Sequence, residues 1–404
     1  MTPTPANPPP QSTPTPAAPP ARPEALAWVD DRPYYQAGLA GYSDAAMRLV
    51  ARRHGCPYCV TEAMLDVFLV NGGKGLAEAE LTDDDHPIAG QLMGSHPADI
   101  AAGARVLVGL GYDVIDVNLA CPVKKVKKKA RGGHLLSEPD QAIAILDAVR
   151  EAVGDDVPCT VKLRRAYDDS PAMAAAFERV FEGTVALGYC GATVHSRTVE
   201  QKYLGPGHRP FLRTLTDRYG RETVRAERWA GCKFTIGGSG DVWGARDVQR
   251  MLEQTGVDVV SIARGCIGNP WVFEQCDQLL NGRSPWIQSV GFTESSVDPI
   301  NALRPPTIHQ QRDVLLEHFE LSVGLHGEGK AGRMMRKFGI KFSRHHPNGD
   351  AVKDAFITVK SLDDWRGVLD RWYAADGPGI VALPSKEEAE AEEVNCGEPI
   401  GATE

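Results

Sequence analysis

Eight short apolar segments alternate with longer amphipathic ones across the central part of this 404-residue chain. Many of the intervening segments, such as Asp99–Leu110, repeat apolar residues at helical spacing. Regular alternation of strand and helix is typical of a parallel sheet, and eight repeats favour closure into a TIM (β/α)8 barrel of the α/β class. The predicted strands are Tyr34–Ala40, Cys59–Met64, Ile88–Met93, Val114–Leu119, Thr160–Leu163, Ala192–His195, Lys233–Ile236 and Val259–Ala263.

A doubly wound sheet is the alternative architecture. It would need a glycine-rich phosphate turn after the first strand, and the stretch GLAGYSD at that place is a poor match to G-x-G-x-x-G. The barrel is therefore the favoured fold.

After Ile308 the pattern changes to three or more amphipathic helices without strands, which predicts a small all-α domain. The proline-rich start and the acidic end of the chain lack the composition of a core and are expected to be disordered. The predicted limits are a tail over 1–23, the barrel over 24–305, the helical domain over 306–376 and an acidic tail over 377–404.

The formal net charge of -9 excludes a chain that is basic throughout, so any nucleic-acid surface must be local. No apolar run is long enough to span a bilayer, and the N-terminus lacks the layout of a secretory signal. The nine cysteines show no disulfide or metal framework, and the pair Cys56 and Cys59 is interpreted as buried packing. A cytoplasmic protein without a bound metal or membrane partner is expected, and we expect a monomer.

Active sites of TIM barrels lie at the carboxyl ends of the strands. Polar residues lie at or just beyond that end of nearly every predicted strand, which is hard to explain by packing alone. They are Gln91, Asn118, Cys121, Lys162, Arg164, His195, Arg197, the GGSGD segment and Arg264.

The segments after the last two strands have the character of a phosphate site. Gly237, Gly238 and Gly240 allow close backbone approach, and Ala263, Arg264 and Gly265 form a second loop. Loops at these two places often bind phosphate in this fold, because their backbone N–H groups suit an anion.

Cys121 precedes Pro122 and a run of basic residues, KKVKKKAR. Its thiol could serve as a nucleophile or as a general acid, and the sequence leaves both open. Lys162 on the fifth strand could form a Schiff base, bind phosphate or bind an anionic ring.

Together these motifs resemble the tRNA-dihydrouridine synthase family from about Pro33 to about Tyr373. The segment DVNLACPVKKVKKKARGGHLL is similar to the family's Asn-x-Gly-Cys-Pro signature. It is supported, in order, by AGYSDAAMR, TEAM, GQLMG, VKLRRAYDD, VHSRTVEQKYLG, GSGDV and ARGCIGNPW.

The resemblance implies an FMN-dependent oxidoreductase that uses NADPH to reduce the C5–C6 bond of specific uridines in tRNA to dihydrouridine. Cys121 would be the general acid, and the helical domain would bind tRNA. The implied substrate contacts are Asn118, Arg197, Gln201 and Tyr203. The implied cofactor contacts are Ala37, Gly38, Leu39, Gln91, Lys162, His195, Gly238, Ser239, Gly240, Ala263 and Arg264. The implied tRNA contacts are Lys330, Arg333, Arg336, Lys337, Lys341 and Arg344.

Three positions depart from the family pattern: Ala120 and Ser196 each replace a glycine, and Ala37-Gly38-Leu39 replaces Ala-Pro-Met. Two other functions fit part of the sequence. One is an FMN barrel that reduces a free pyrimidine or an enone, and the other is a colourless lyase that uses Lys162. The sequence does not identify the modified uridine, the class of RNA, the nicotinamide preference or the oligomeric state.

Overall fold

The computed structural model describes residues 22–282 and 303–381 of the chain. The strands in these residues are β1 Tyr34–Gln36, β2 Cys59–Val60, β3 Met64–Leu65, β4 Ile88–Met93, β5 Val114–Leu119, β6 Cys159–Arg164, β7 Gly191–His195, β8 Thr235–Ser239 and β9 Val259–Ile262. The barrel helices are α1 Ala45–Arg53, α2 Asp66–Val70, α3 Lys74–Ala77, α4 Pro97–Gly109, α5 Lys124–Lys128, α6 Pro139–Val153, α7 Pro171–Ala186, α8 Arg209–Tyr219, α9 Ala245–Thr255 and α10 Trp271–Asn281.

The strands close into a parallel barrel of eight positions, as the sequence predicted. β1 pairs with β2 and with β9, β2 pairs with β4, and β4 to β9 pair in succession. β3 pairs with β4 beyond β2, so β2 and β3 together form the second position of the barrel. Parallel strands place all their carboxyl ends at one rim, and the loops at that rim form the candidate site.

Three predicted strands had limits that were wrong by more than one residue. The seventh is Thr235–Ser239 rather than Lys233–Ile236, since Lys233 instead forms an isolated antiparallel bridge with Thr223. The other two were wrong for a local reason. The second predicted strand is interrupted at residues 61–63, where the Thr61 side chain accepts a hydrogen bond from the Gln91 backbone N–H at 3.0 Å. The first strand ends at Gln36 rather than Ala40, because the chain turns there into a loop that continues to α1. The predicted strands β4 and β5 have the observed limits.

Local sequence signals explain where the surrounding helices start and stop. Pro97 and Pro171 occupy the first turns of α4 and α7, where a missing N–H costs nothing. Gly256 and Gly282 end α9 and α10 in the left-handed conformation that glycine adopts without strain.

Four helices follow the barrel in the described residues: α11 Ile308–His326, α12 Glu328–Phe342, α13 Gly349–Ile357 and α14 Leu362–Trp372. Phe319 stacks on the buried Trp365 with ring centroids 4.5 Å apart, which gives these helices an aromatic core. α11 packs on the barrel through α1, where Arg53 forms an ion pair with Glu317. No helix among the described residues combines the length and apolar content that a bilayer crossing requires.

The predicted tails fall mostly outside the described residues, and the domain limits stay a prediction. At the N-terminal edge, the Arg22 side chain donates a hydrogen bond to Asp30 at 2.9 Å. At the other edge, the Ile380 backbone N–H donates to the His345 carbonyl at 2.8 Å. The last residues of the first tail and the first residues of the second therefore lie against the folded part of the chain.

Candidate active site

One cavity opens at the carboxyl rim of the barrel and extends into its interior. Side chains or backbone from β1, β4, β5, β6, β7, β8 and β9, or from the loops that follow them, line it. The strand register brings several predicted residues together, because Asn118 lies opposite Lys162 and His195 lies opposite both Arg164 and Ser239. The cavity wall contains Ala37, Gly38, Leu39, Gln91, Asn118, Cys121, Lys162, His195, Tyr203, Ser239, Gly240, Ala263 and Arg264.

A chain of hydrogen bonds runs from the barrel interior to the turn that carries Cys121. The Gln91 amide donates to the buried Asp116 carboxylate at 2.8 Å and accepts from the Asn118 amide at 2.7 Å. The Asn118 carbonyl in turn accepts from the backbone N–H groups of Ala120 and Cys121 at 3.0 and 3.1 Å. Because the carboxylate only accepts and the backbone N–H groups only donate, both amides have one permitted orientation.

Cys121 is half-buried in the cavity wall. Its carbonyl accepts a hydrogen bond from the Gly133 N–H at 3.0 Å. A Cβ added at Gly132 would lie 3.0 Å from the Cβ of Cys121, and Gly132 also has a φ of 57°. Glycine at position 132 therefore lets the segment Gly132–Gly133 pack closely against Cys121.

Lys162 lies beside this turn with its amine inside the barrel. No hydrogen-bond partner for its Nζ exists among the described residues, although the atom is buried. Burial, reinforced by the nearby Arg164 and opposed by Asp116, lowers the pKa of Lys162 to about 7. An unpartnered buried amine in a cavity is the arrangement that an acceptor-rich or anionic ligand would satisfy.

His195 contributes a neutral hydrogen-bond donor to the same wall. Burial, reinforced by Arg164 and Lys162, lowers the pKa of His195 well below its usual value. Its Nδ1 accepts from the Arg197 backbone N–H at 3.2 Å, so the ring proton resides on Nε2. The imidazole therefore serves as a donor through Nε2 at neutral pH.

Arg164 joins two loops at the rim, a role that the sequence did not suggest. Its Nε donates to the Ala120 carbonyl at 2.9 Å, and its Nη1 donates to the carbonyls of Thr198 and Lys202 at 2.8 and 2.5 Å. The guanidinium also lies 5.2 Å from the ring centroid of Tyr203. The turn with Cys121 and the loop after β7 are thus held in one fixed relation.

The loop after β7 contains the three predicted substrate contacts Arg197, Gln201 and Tyr203. Tyr203 lines the cavity. Arg197 is buried and binds the Gly205 carbonyl and Asp241, and the Gln201 amide donates to the backbone of Leu204 and Pro206. These contacts support a role for Arg197 and Gln201 in holding the loop, and direct substrate contact by either residue stays a prediction.

The predicted phosphate region adjoins this loop. Gly240 has a φ of 116°, and the Arg264 guanidinium lies between Tyr203 and Trp243, 4.8 and 4.7 Å from their ring centroids. Position 238 requires glycine for a different reason, because an added Cβ would lie 2.8 Å from the Sδ of Met251 on α9. Close packing on α9, rather than ligand approach, therefore explains Gly238.

The structure accommodates two of the departures from the family pattern. The Oγ of Ser196 lies in space left by Gly207 and Gly240, where an added Cβ would approach it to 2.3 and 2.6 Å. Ala120 does not have a positive φ, so its methyl group causes no backbone strain.

The third departure lies in the loop after β1. An added Cβ at Gly38 would lie 2.1 Å from the Thr61 carbonyl, so the backbone needs glycine there. Leu39 takes part in the cavity wall beside it.

The six predicted tRNA contacts lie along α12 and just beyond it. Arg333 and Arg336 are exposed, while Lys330, Lys341 and Arg344 are partly buried. Lys330 lies 3.5 Å from the Glu78 carboxylate. Lys337 turns toward the barrel, where its Nζ donates to the Gly41 carbonyl at 2.6 Å. This geometry argues against the predicted tRNA contact for Lys337.

The sequence reasoning missed Asp116 and Glu62 as well as the role of Arg164. Asp116 precedes Asn118 by two residues, so the period of a strand would have placed both on the inner face of the barrel. Glu62 belongs to the segment TEAM but was assigned no role, and it lies in the interruption between β2 and β3, which no pattern in the sequence indicated.

The chemistry available in the cavity is a thiol in a fixed turn, a buried amine without a partner and a neutral imidazole donor. Such a set can bind an acceptor-rich planar group and deliver one proton from the side of Cys121. Within the described ranges, no three His, Cys, Asp or Glu side chains are arranged to hold a metal ion.

Comparison with known proteins gives consistent matches over most of the chain. The family model described as dihydrouridine synthase matches residues 35–302. A tRNA-dihydrouridine synthase B of Pseudomonas aeruginosa is 33% identical over 350 residues, covering 86% of this chain and 95% of the relative. A probable tRNA-dihydrouridine synthase of Mycobacterium tuberculosis is 30% identical over 351 residues, covering 84% of this chain and 82% of the relative.

Proposed function

The chain belongs to the dihydrouridine synthase family, and from this premise we propose that it reduces uridines in tRNA to dihydrouridine with FMN as cofactor and NADPH as reductant. The observation that carries the proposal is the cavity in which the half-buried Cys121 thiol and the unpartnered Lys162 amine share one wall. The thiol would supply the proton that this reduction requires, and the amine would hold the cofactor in place.

The residues of the cavity fit a flavin. The Lys162 amine lacks a partner among the described residues, and His195 has a neutral Nε2 donor. We propose that these two groups and Gln91 hold the ring system. The phosphate and ribityl chain would lie against Ser239, Gly240, Ala263 and Arg264, while Gly238 packs on α9 behind them. Ala37, Gly38 and Leu39 would cover the ring from the loop after β1.

When bound and first reduced by NADPH, FMN would supply the hydride for C6 of the uracil ring. The proton for C5 would come from the thiol of Cys121, which the Asn118 carbonyl holds through two backbone N–H groups. A base in a folded RNA must leave its stack to enter a cavity of this kind. Tyr203 at the rim and the second N–H of Asn118 are the groups proposed to contact that base, with Arg197 and Gln201 fixing their loop.

The helical region over 306–376 is proposed as the tRNA-binding domain. Arg333 and Arg336 are exposed on α12, and the half-buried Lys330, Lys341 and Arg344 are proposed to add contacts beside them. Phosphate contacts of this type make affinity fall steeply with salt. A local basic surface of this kind is compatible with the net charge of -9, because seven glutamates and one lysine in residues 385–404 account for -6 of it.

A Cys121→Ala variant tests the proposed acid. The variant should keep its flavin, visible as yellow colour and as FMN released on heating, while dihydrouridine formation falls by about 100-fold or more, as expected for loss of a positioned acid. Turnover at the wild-type rate would exclude Cys121 from this role. A colourless wild-type protein that also fails to bind added FMN would contradict the flavin mechanism. Borohydride trapping of substrate on Lys162 would then test the lyase alternative.

A further inference from the structure

The loop after β1 forms part of the cavity wall and also touches the helical domain. We call residues 37–44 the rim loop. Its first residues, Ala37 to Ala40, line the cavity. Its last residues approach α11 and α12, so the loop lies between the proposed cofactor site and the proposed tRNA-binding domain.

The barrel holds the rim loop from one side through Glu62. The Glu62 carboxylate accepts a hydrogen bond from the Gly41 N–H at 2.6 Å. Gly41 has a φ of 75°, a conformation that glycine adopts without strain. A second bond closes the loop on itself, because the Ser43 hydroxyl accepts from the Leu39 N–H at 2.7 Å.

The helical domain holds the same residue from the other side through Lys337. The Lys337 amine donates to the Gly41 carbonyl at 2.6 Å and lies 4.7 Å from the ring centroid of Tyr42. Phe338, the next residue of α12, meets the Tyr42 ring edge-on at 5.7 Å. The N–H and the C=O of Gly41 are therefore fixed by a carboxylate of the barrel and an ammonium of the helical domain.

The charges around Lys337 support a structural task for this amine. Glu62 and Asp44 both face it, and Asp44 is itself bonded to His326 of α11 with 2.8 Å between Oδ2 and Nε2. His318 and Arg48 complete the charged and titratable surroundings of these two carboxylates. Arg336, the preceding residue of α12, is exposed to solvent instead.

We propose that Lys337 is a positioning residue through which the helical domain sets the shape of the cavity wall. This inference rests on the proposed function in so far as the cavity binds FMN. Its consequence is that docking of the helical domain and cofactor binding are coupled through Gly41. Arg336 and Lys337 then have separate tasks, one toward RNA and the other toward the rim loop.

The test compares Lys337→Met with the matched neighbour Arg336→Met in the full chain. For each, FMN affinity of the apoprotein is measured by fluorescence quenching, tRNA affinity by filter binding, and amide exchange of residues 37–44 by mass spectrometry. Lys337→Met should weaken FMN binding about tenfold, as expected for one lost charge-assisted hydrogen bond, and should speed exchange in the rim loop. Arg336→Met should weaken tRNA binding and leave both other measurements unchanged.

A conservative variant and three further outcomes distinguish this inference from simpler ones. Lys337→Arg keeps the cation and should restore most of the FMN affinity. Unchanged FMN affinity and rim-loop exchange in Lys337→Met would overturn the inference, as would loss of protection throughout α11–α14, since Lys337 would then hold the domain rather than the loop. Wild-type apoprotein that binds no FMN would remove the proposed cofactor instead, and rim-loop exchange alone would then decide the role of Lys337.

Discussion

Replacing Glu62 by glutamine should change how the stability of the protein depends on pH. Glu62 is 7% exposed. Burial, reinforced by Asp44 and opposed by the Gly41 N–H and Lys337, raises the pKa of Glu62 from 4.5 to about 7. The folded state therefore binds the Glu62 proton more tightly than the unfolded state. The contribution of Glu62 to the free energy of unfolding is therefore highest below pH 4.5 and falls as the pH rises toward 7.

The size of this effect follows from the shift. Each pH unit in the window removes about 1.4 kcal/mol, so the free energy of unfolding is lowered by about 3 kcal/mol at about pH 8 and by about 1 kcal/mol at about pH 5. Glutamine keeps a carbonyl for the Gly41 N–H and has no proton to lose as the pH rises. Relative to wild type, Glu62→Gln should therefore gain about 2 kcal/mol of stability between about pH 5 and about pH 8.

Urea unfolding of the two proteins at both pH values measures this difference directly. Comparison with wild type removes the contributions of all other titrating groups. Glu151→Gln on the exposed face of α6 serves as the control and should show no change between the two pH values. A stability difference between Glu62→Gln and wild type that is the same at both pH values would refute the proposed effect of burial on Glu62.

Substitutions at three other residues test the site. Arg164→Leu leaves three carbonyls at the rim without their donor and should destabilise the protein by about 3 kcal/mol or more in thermal unfolding; a loss below about 1 kcal/mol would contradict this. Asp116→Ala removes the acceptor of the Gln91 amide and should weaken FMN binding about tenfold, whereas Asp116→Asn should keep most of the affinity, and equal losses would contradict the positioning role. Because the pKa of Lys162 is about 7, FMN binding above that pH should be accompanied by uptake of a proton, which calorimetry in buffers of different ionisation enthalpy measures. Lys162→Met should abolish this uptake, and uptake that persists in the variant would point to another group.

The barrel was predictable because strand and helix periodicities survive in the sequence of each repeat. β4 and β5 are continuous buried strands, and their limits were predicted correctly. The second barrel position was predicted as one strand, but it is interrupted where the Thr61 side chain takes the place of a backbone partner. A threonine hydroxyl can replace a backbone carbonyl as the acceptor between two strands, and the pattern of apolar residues does not show where this happens.

The site was predictable where a residue lies near the carboxyl end of a strand or just after it. Asn118, Cys121, Lys162 and His195 all line the cavity for this reason. The direction of a helical side chain was harder to predict from the sequence. Lys337 and Arg336 are adjacent, and only packing against the rim loop distinguishes their roles. Glycine was also ambiguous, since Gly238 serves helix packing while Gly240 has a positive φ at the cavity wall.

The decisive measurement is dihydrouridine formation by the purified protein. Unmodified tRNA is incubated with the protein, FMN and NADPH, and its nucleosides are then separated and weighed by mass spectrometry. We predict a uridine product heavier by two hydrogen atoms, formed by wild type and formed about 100-fold or more slowly by Cys121→Ala. A flavin-loaded wild-type protein that consumes NADPH but leaves every uridine of tRNA and of total cellular RNA unreduced would contradict the proposed function.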